Sequence, residues 1–106
     1  MLEPMTSDAA WASTCSAIER NDPWCRGVVV LGLDAPEAEL AESFATAAQH
    51  DLVKGFAIGR TIFADAARDW FSGELDDSAV VATMAEKFRR LCNIWDKARA
   101  ANGGTA

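Results

Sequence analysis

The feature that most limits what this chain can fold into is a pair of short apolar runs, RGVVVLGL (26 to 33) and LVKGFAIG (52 to 59). Each carries a glycine, Gly32 or Gly59, at or next to its end, just ahead of a helix-forming segment. Neither run alternates apolar with polar residues: Val28, Val29, Val30 and Leu31 are consecutive, as are Phe56, Ala57 and Ile58. Runs of this kind are expected in parallel strands covered on both faces. Between them, Asp34-Ala35-Pro36-Glu37 leads into a helix, with proline at or near the first helical position and acids in the first turn. Leu40, Phe44 and Ala47 or Ala48 then recur at inward spacing. Residues 26 to 59 thus read as one right-handed parallel strand-helix-strand unit, and the fold class as α/β.

The flanking segments add helices only. Ser7 and Asp8 are N-cap residues for a helix carrying Trp11, Cys15 and Ile18 at i, i+4 and i+7, which the turn Asn21-Asp22-Pro23 ends. Residues 1 to 6, MLEPMT, begin too abruptly to be a strand of their own. A short helix is expected from Ala64 to Phe71, closed by Gly73. Asp76 and Asp77 cap a long final helix that turns Val81, Met84, Phe88, Leu91 and Trp95 inward. The expectation is two parallel strands and about four helices in one domain over residues 1–101, with a disordered tail at 102–106 and no closed barrel within one copy. Two strands leave both sheet edges open, which invites a partner: a second copy in a homo-oligomer, or a chain supplying further strands.

Composition narrows the function classes. Ten Lys and Arg against 16 Asp and Glu give a net charge of −6, which disfavours nucleic acid and anionic membrane surfaces. No apolar stretch approaches membrane-spanning length, and the N-terminus has neither a basic nor an apolar signal region, so a cytoplasmic location is expected. Cys15, Cys25 and Cys92 form no CxxC pair, and His50 is the only histidine. No metal site and no cofactor is expected, and the cysteines read as reduced, buried or half-buried side chains.

Any anion must therefore be caught locally, and the second strand-glycine-helix junction is built for that. Gly59 lets backbone approach a ligand or take a positive φ, the following helix start presents unpaired N–H groups, and Arg60 adds a forked permanent charge. The competing reading is structural: Gly59 tightens a turn and Arg60 pairs with Asp65 or Asp69. Gly32 and Leu33 end the first run in the same manner. In α/β sheets ligands bind at the carboxyl ends of parallel strands, and in eight-stranded barrels the loops after strands seven and eight commonly hold phosphate.

Three segments, CRGVVVLGLDAP (25 to 36), LVKGFAIGRTIFADAARDWFSGELDD (52 to 77) and MAEKFRRLCNIWDKAR (84 to 99), resemble the C-terminal aldolase-like domain of bacterial inositol-catabolism proteins. That domain is often fused behind a ribokinase-type 5-dehydro-2-deoxygluconokinase. The resemblance implies a class I, Schiff-base aldolase barrel acting on 2-deoxy-5-keto-gluconate 6-phosphate. It also implies that this chain covers only the last portion of the barrel, the end of strand six and then strands seven and eight, since a whole barrel takes roughly 200 to 250 residues. The family pattern has a strand ending Trp-Lys-x-Glu-Pro; Leu2-Glu3-Pro4 match x-Glu-Pro, and Met1 stands where the lysine would be. Lys54 is no substitute, being near the start of its strand, and Lys87 and Lys97 are expected on a solvated helix face. The implied site is Gly59 and Arg60 for the phosphate of a weakly bound sugar phosphate, helped by the backbone at Gly32 and Leu33, with Glu3 as an acid/base. The alternative is a noncatalytic interaction or oligomerisation module associated with a carbohydrate kinase.

Overall fold

The computed structural model describes residues 1–33 and 35–101. Along the chain lie α1 (Asp8–Asn21), β1 (Val28–Leu31), α2 (Glu37–Ala47), β2 (Val53–Ala57), α3 (Arg60–Phe71) and α4 (Asp77–Ala101). The fold is α/β: β1 and β2 pair in parallel, Val30 opposite Phe56 and Leu31 opposite Ala57, with a break in register between Val28 and Val29. The expectation of a disordered tail concerns residues outside the described ones. Residues 1 to 6 do not form a strand, but Leu2 makes a parallel bridge to Val30 on the side of β1 away from β2. Its N–H donates to Val29 O at 2.9 Å and its carbonyl accepts from Leu31 N at 2.7 Å.

Local sequence explains most element ends. The Ser7 hydroxyl accepts from Ala10 N and starts α1, and the Asp76 carboxylate accepts from Ala79 N at the head of α4. Gly73, with φ of +84°, supplies the left-handed residue after α3. One start differs from expectation. α3 begins at Arg60, not Ala64, because the Gly59 carbonyl accepts from both Ile62 N and Phe63 N and so closes the first turn over Arg60-Thr61.

The core lies between the sheet and its helices. Val28, Val30 and Val53 meet Trp11 and Cys15 of α1, Leu40 and Phe44 of α2, Ile62 of α3, and Leu91 and Trp95 of α4. An aromatic row crosses it: Phe44 stacks on Phe56 at 5.0 Å, meets Trp95 edge-on at 5.5 Å, and Phe56 reaches Phe88 at 6.1 Å. The Trp11 indole donates to Met5 O at 2.9 Å, which ties the N-terminal segment to the same core.

Two packing expectations are corrected. The strands are not buried on both faces, since burial alternates along β1, with Val28 and Val30 buried and Val29 and Leu31 half-buried. Among the described residues the helices cover one face of the sheet, and nothing here closes over the other. In α4 the inward valine is Val80, 9% exposed, whereas Val81 is 61% and Phe88 50% exposed. Met84, Leu91 and Trp95 do turn inward. The far end of α4 is fastened by Arg99, whose guanidinium donates to Ala48 O at 2.9 Å, His50 O at 3.4 Å and Val53 O. It lies 5.1 Å over the Trp95 ring.

Candidate functional site

The two strand ends are pressed together at their carboxyl side. Gly32 is buried, and a Cβ there would stand 3.0 Å from Cγ2 of Ile58. Any larger residue there would have to displace the Ile58 side chain by a few tenths of an ångström. Gly59 has φ of −123° and its N-terminal cap position carries no side-chain hydrogen bond. A Cβ on it would meet the Phe63 ring at 3.0 Å. Its lack of a side chain thus accommodates Phe63 and is not explained by a positive φ. Leu33 does have a positive φ, +49°, at half exposure, a conformation that costs a non-glycine residue about 1 kcal/mol.

Beyond these glycines, a cleft of about 240 Å³ opens between the β1–α2 loop, the start of α3 and the middle of α4. Ala35, Pro36 and Glu37 form one wall; Arg60, Thr61, Ala64 and Asp65 form a second, and Lys87 reaches in from α4. The Thr61 hydroxyl donates to Ala35 O at 2.9 Å and ties the first turn of α3 to the β1–α2 loop. Of the residues expected to bind phosphate, Arg60 lines this cleft and Gly59 precedes it in the chain. Gly32 and Leu33 lie at the foot of the β1–α2 loop, where Gly32 O accepts from Ala35 N, without lining the cleft. Glu3 is exposed, follows the Leu2 bridge along β1, and does not line it either.

The cleft is lined by two acids, Glu37 and Asp65, and two bases, Arg60 and Lys87, and both acids have cationic partners outside it. Glu37 is gripped from outside by Arg90, through Nε at 3.0 Å and Nη2 at 3.3 Å. That hydrogen bond to Glu37, with charge attraction from Glu37 and Glu86, holds the Arg90 guanidinium above its ordinary pKa. Asp65 pairs with Arg68 at 3.3 Å, and Asp69 also faces Arg68, at 3.8 Å. The structural pairing of Arg60 with Asp65 or Asp69 is therefore absent. The Arg60 side chain is exposed and makes no hydrogen bond or ion pair among the described residues. α2 and α3 both lack a side-chain cap, but the first turn of α2 carries Glu37 and Glu39 while the first turn of α3 carries no acid. The positive end of α3 is the one left uncompensated.

Sequence reasoning missed Lys87. Spacing puts it on a solvated face, yet its side chain is only 24% exposed and stands 4.0 Å from Asp65. A signal existed: residue 87 falls seven after Val80 and four before Leu91, on the buried stripe of α4. Elsewhere, burial and then Glu19 push the Cys15 thiol above its ordinary pKa, which suits a core side chain and not a nucleophile. His50 meets Asp8 at 2.9 Å and joins the start of α1 to the α2–β2 loop. No helix is long and apolar enough to cross a membrane among the described residues.

A family model described as "Uncharacterized protein conserved in bacteria (DUF2090)" matches residues 1–99. No curated protein and no solved structure matches the chain.

Proposed function

Starting from a chain that belongs to the bacterial DUF2090 family, we propose that it holds the phosphate of a phosphorylated sugar at the start of α3, with Arg60 as the principal ligand. In this reading it is the phosphate-binding end of an aldolase-like barrel of inositol catabolism, whose remaining strands lie outside this sequence. One observation carries it: an unpaired guanidinium at the head of a helix with no side-chain cap and no acid in its first turn, at the carboxyl ends of parallel strands. The uncovered sheet face and the resemblance of the three segments support the larger architecture. With a net charge of −6 the long-range field opposes phosphate. Binding then rests on short-range hydrogen bonds, and an affinity of roughly 1 mM, about −4 kcal/mol, is expected.

Phosphate or a sugar phosphate titrated into labelled protein should move the amides of Gly59, Arg60 and Thr61, and Arg60→Ala should abolish the movement. Amides that stay still in the parent protein would refute the reading. For aldolase chemistry within this chain the expected result is negative. Lys54 lies near the N-terminal end of β2, and Lys87 and Lys97 lie on α4 rather than at a strand end. Borohydride treatment with a keto-sugar phosphate should leave all three lysines unmodified; a trapped adduct on any of them would overturn this.

The second reading, a noncatalytic module packing against a carbohydrate kinase or itself, is favoured by the exposed apolar side chains Trp24, Phe71, Val81 and Phe88. Monomeric sedimentation of the chain alone and with such a kinase would remove it.

A further inference from the structure

We propose that Lys87 is the second cation of the phosphate cleft, swinging from Asp65 to the ligand when phosphate binds. The proposal rests on the reading of Arg60 as the principal phosphate ligand and adds a residue on a different element. Lys87 occupies the buried stripe of α4 with Met84 and Leu91, where an apolar side chain would serve the core better. Its ammonium makes no hydrogen bond among the described residues, and its one ion pair, to Asp65, is long at 4.0 Å. Asp65 has the closer partner in Arg68, at 3.3 Å. A side chain three-quarters hidden, with three donors and no acceptor, is held ready for a ligand that brings oxygen atoms into the cleft it lines. Arg60 enters the same cleft from α3, so two cations carried by different helices converge on one small volume. A phosphate between them would cross-link α3 to α4, the guanidinium taking two oxygens and the ammonium a third. The carboxylates of Glu37 and Asp65 would then face the rest of the ligand, where they accept hydrogen bonds from hydroxyl groups and repel a second anionic group. The ligand class that fits is a phosphomonoester of a polyhydroxylated body.

The test pairs binding with stability. Inorganic phosphate, a hexose 6-phosphate and a hexose 1,6-bisphosphate are titrated against the full chain and against Lys87→Met, Asp65→Asn and Arg60→Ala, following amide shifts and the Lys87 side-chain signal. Lys87→Met should weaken the monophosphate about tenfold while raising the unfolding midpoint, because methionine suits the stripe. Asp65→Asn should tighten phosphate about threefold by releasing Lys87. The Lys87 signal should move on titration, and the monophosphate should bind better than phosphate or the bisphosphate. If Lys87→Met binds phosphate as the parent does while Arg60→Ala does not, Lys87 is structural and the proposal fails, although the Arg60 reading stands. If Lys87→Met loses stability and Asp65→Asn loses affinity, the pair is a structural tie, which also overturns it. If the parent binds none of the three compounds, both readings fall together.

Discussion

Phe44→Ala should destabilise the protein by about 3 to 5 kcal/mol, the largest effect expected of any single substitution here. Phe44 has no exposed surface and stands where three elements meet, stacked on Phe56 of β2 and edge-on to Trp95 of α4. Truncation removes the transfer energy of the ring, leaves a cavity, and breaks two aromatic pairs worth about 0.5 to 1.5 kcal/mol each, part of which the cavity figure already contains. The surroundings cannot collapse easily, because β2 is pinned by its ladder to β1 and α4 by Arg99. A domain of this size commonly has only about 5 to 15 kcal/mol of stability in total. Much of it would be gone. In urea titrations the midpoint should fall sharply with the slope unchanged, and melting should drop by roughly 12 °C or more. A loss under about 1.5 kcal/mol would mean that the aromatic row does not organise this core.

Arg99→Met should cost about 2 to 4 kcal/mol, a large effect for a half-exposed residue on a helix's last turns. Three carbonyls lose their donor at once: Ala48 and His50 after α2, and Val53 on β2. Each hydrogen bond contributes about 1 kcal/mol net, and the stack on Trp95 about 0.5 to 1 more. Methionine keeps the bulk along Trp95, so the comparison isolates the fork of donors. Arg99→Lys retains the charge but reaches fewer carbonyls, and should recover less than half of the loss. Chemical denaturation of the three proteins measures this. Equal stability of Arg99→Met and parent would show that water replaces the guanidinium without penalty.

Local chemistry made most of the fold legible, and long-range packing hid the rest. Ser7, Asp76 and Gly73 mark element ends because each acts on backbone within three residues of itself. Leu40, Phe44 and Ala47 reveal the inner face of α2 by spacing alone. The inner face of α4 lies one residue away from the line that spacing predicts, because its stripe, through Val80, Met84, Lys87 and Leu91, contains a lysine, while the line through Val81, Met84 and Phe88 is wholly apolar. Apolarity favoured the wrong line; α3 and the sheet decided otherwise. Consecutive valines in β1 suggested two covered faces, but composition cannot say which neighbours are present to do the covering. Arg99 gave no sign at all, since its acceptors lie 46 to 51 residues away. In the site, Arg60 was readable from its place after Gly59. The place of Lys87 in the cleft was not, because it depends on how α4 lies across α3.

The stacking of Arg99 on Trp95 also gives the molecule a built-in optical gauge. Its four tryptophans sit in different surroundings: Trp11 and Trp95 in the core, Trp70 at 42% exposure and Trp24 at 82%. An indole emits at shorter wavelength in apolar surroundings than in water, and a cation fixed over its face perturbs that emission. Trp95 alone has such a cation among the described residues, so its colour reports whether the last turns of α4 are seated against β2. Trp24, already in water, supplies the unchanging background against which that colour is read.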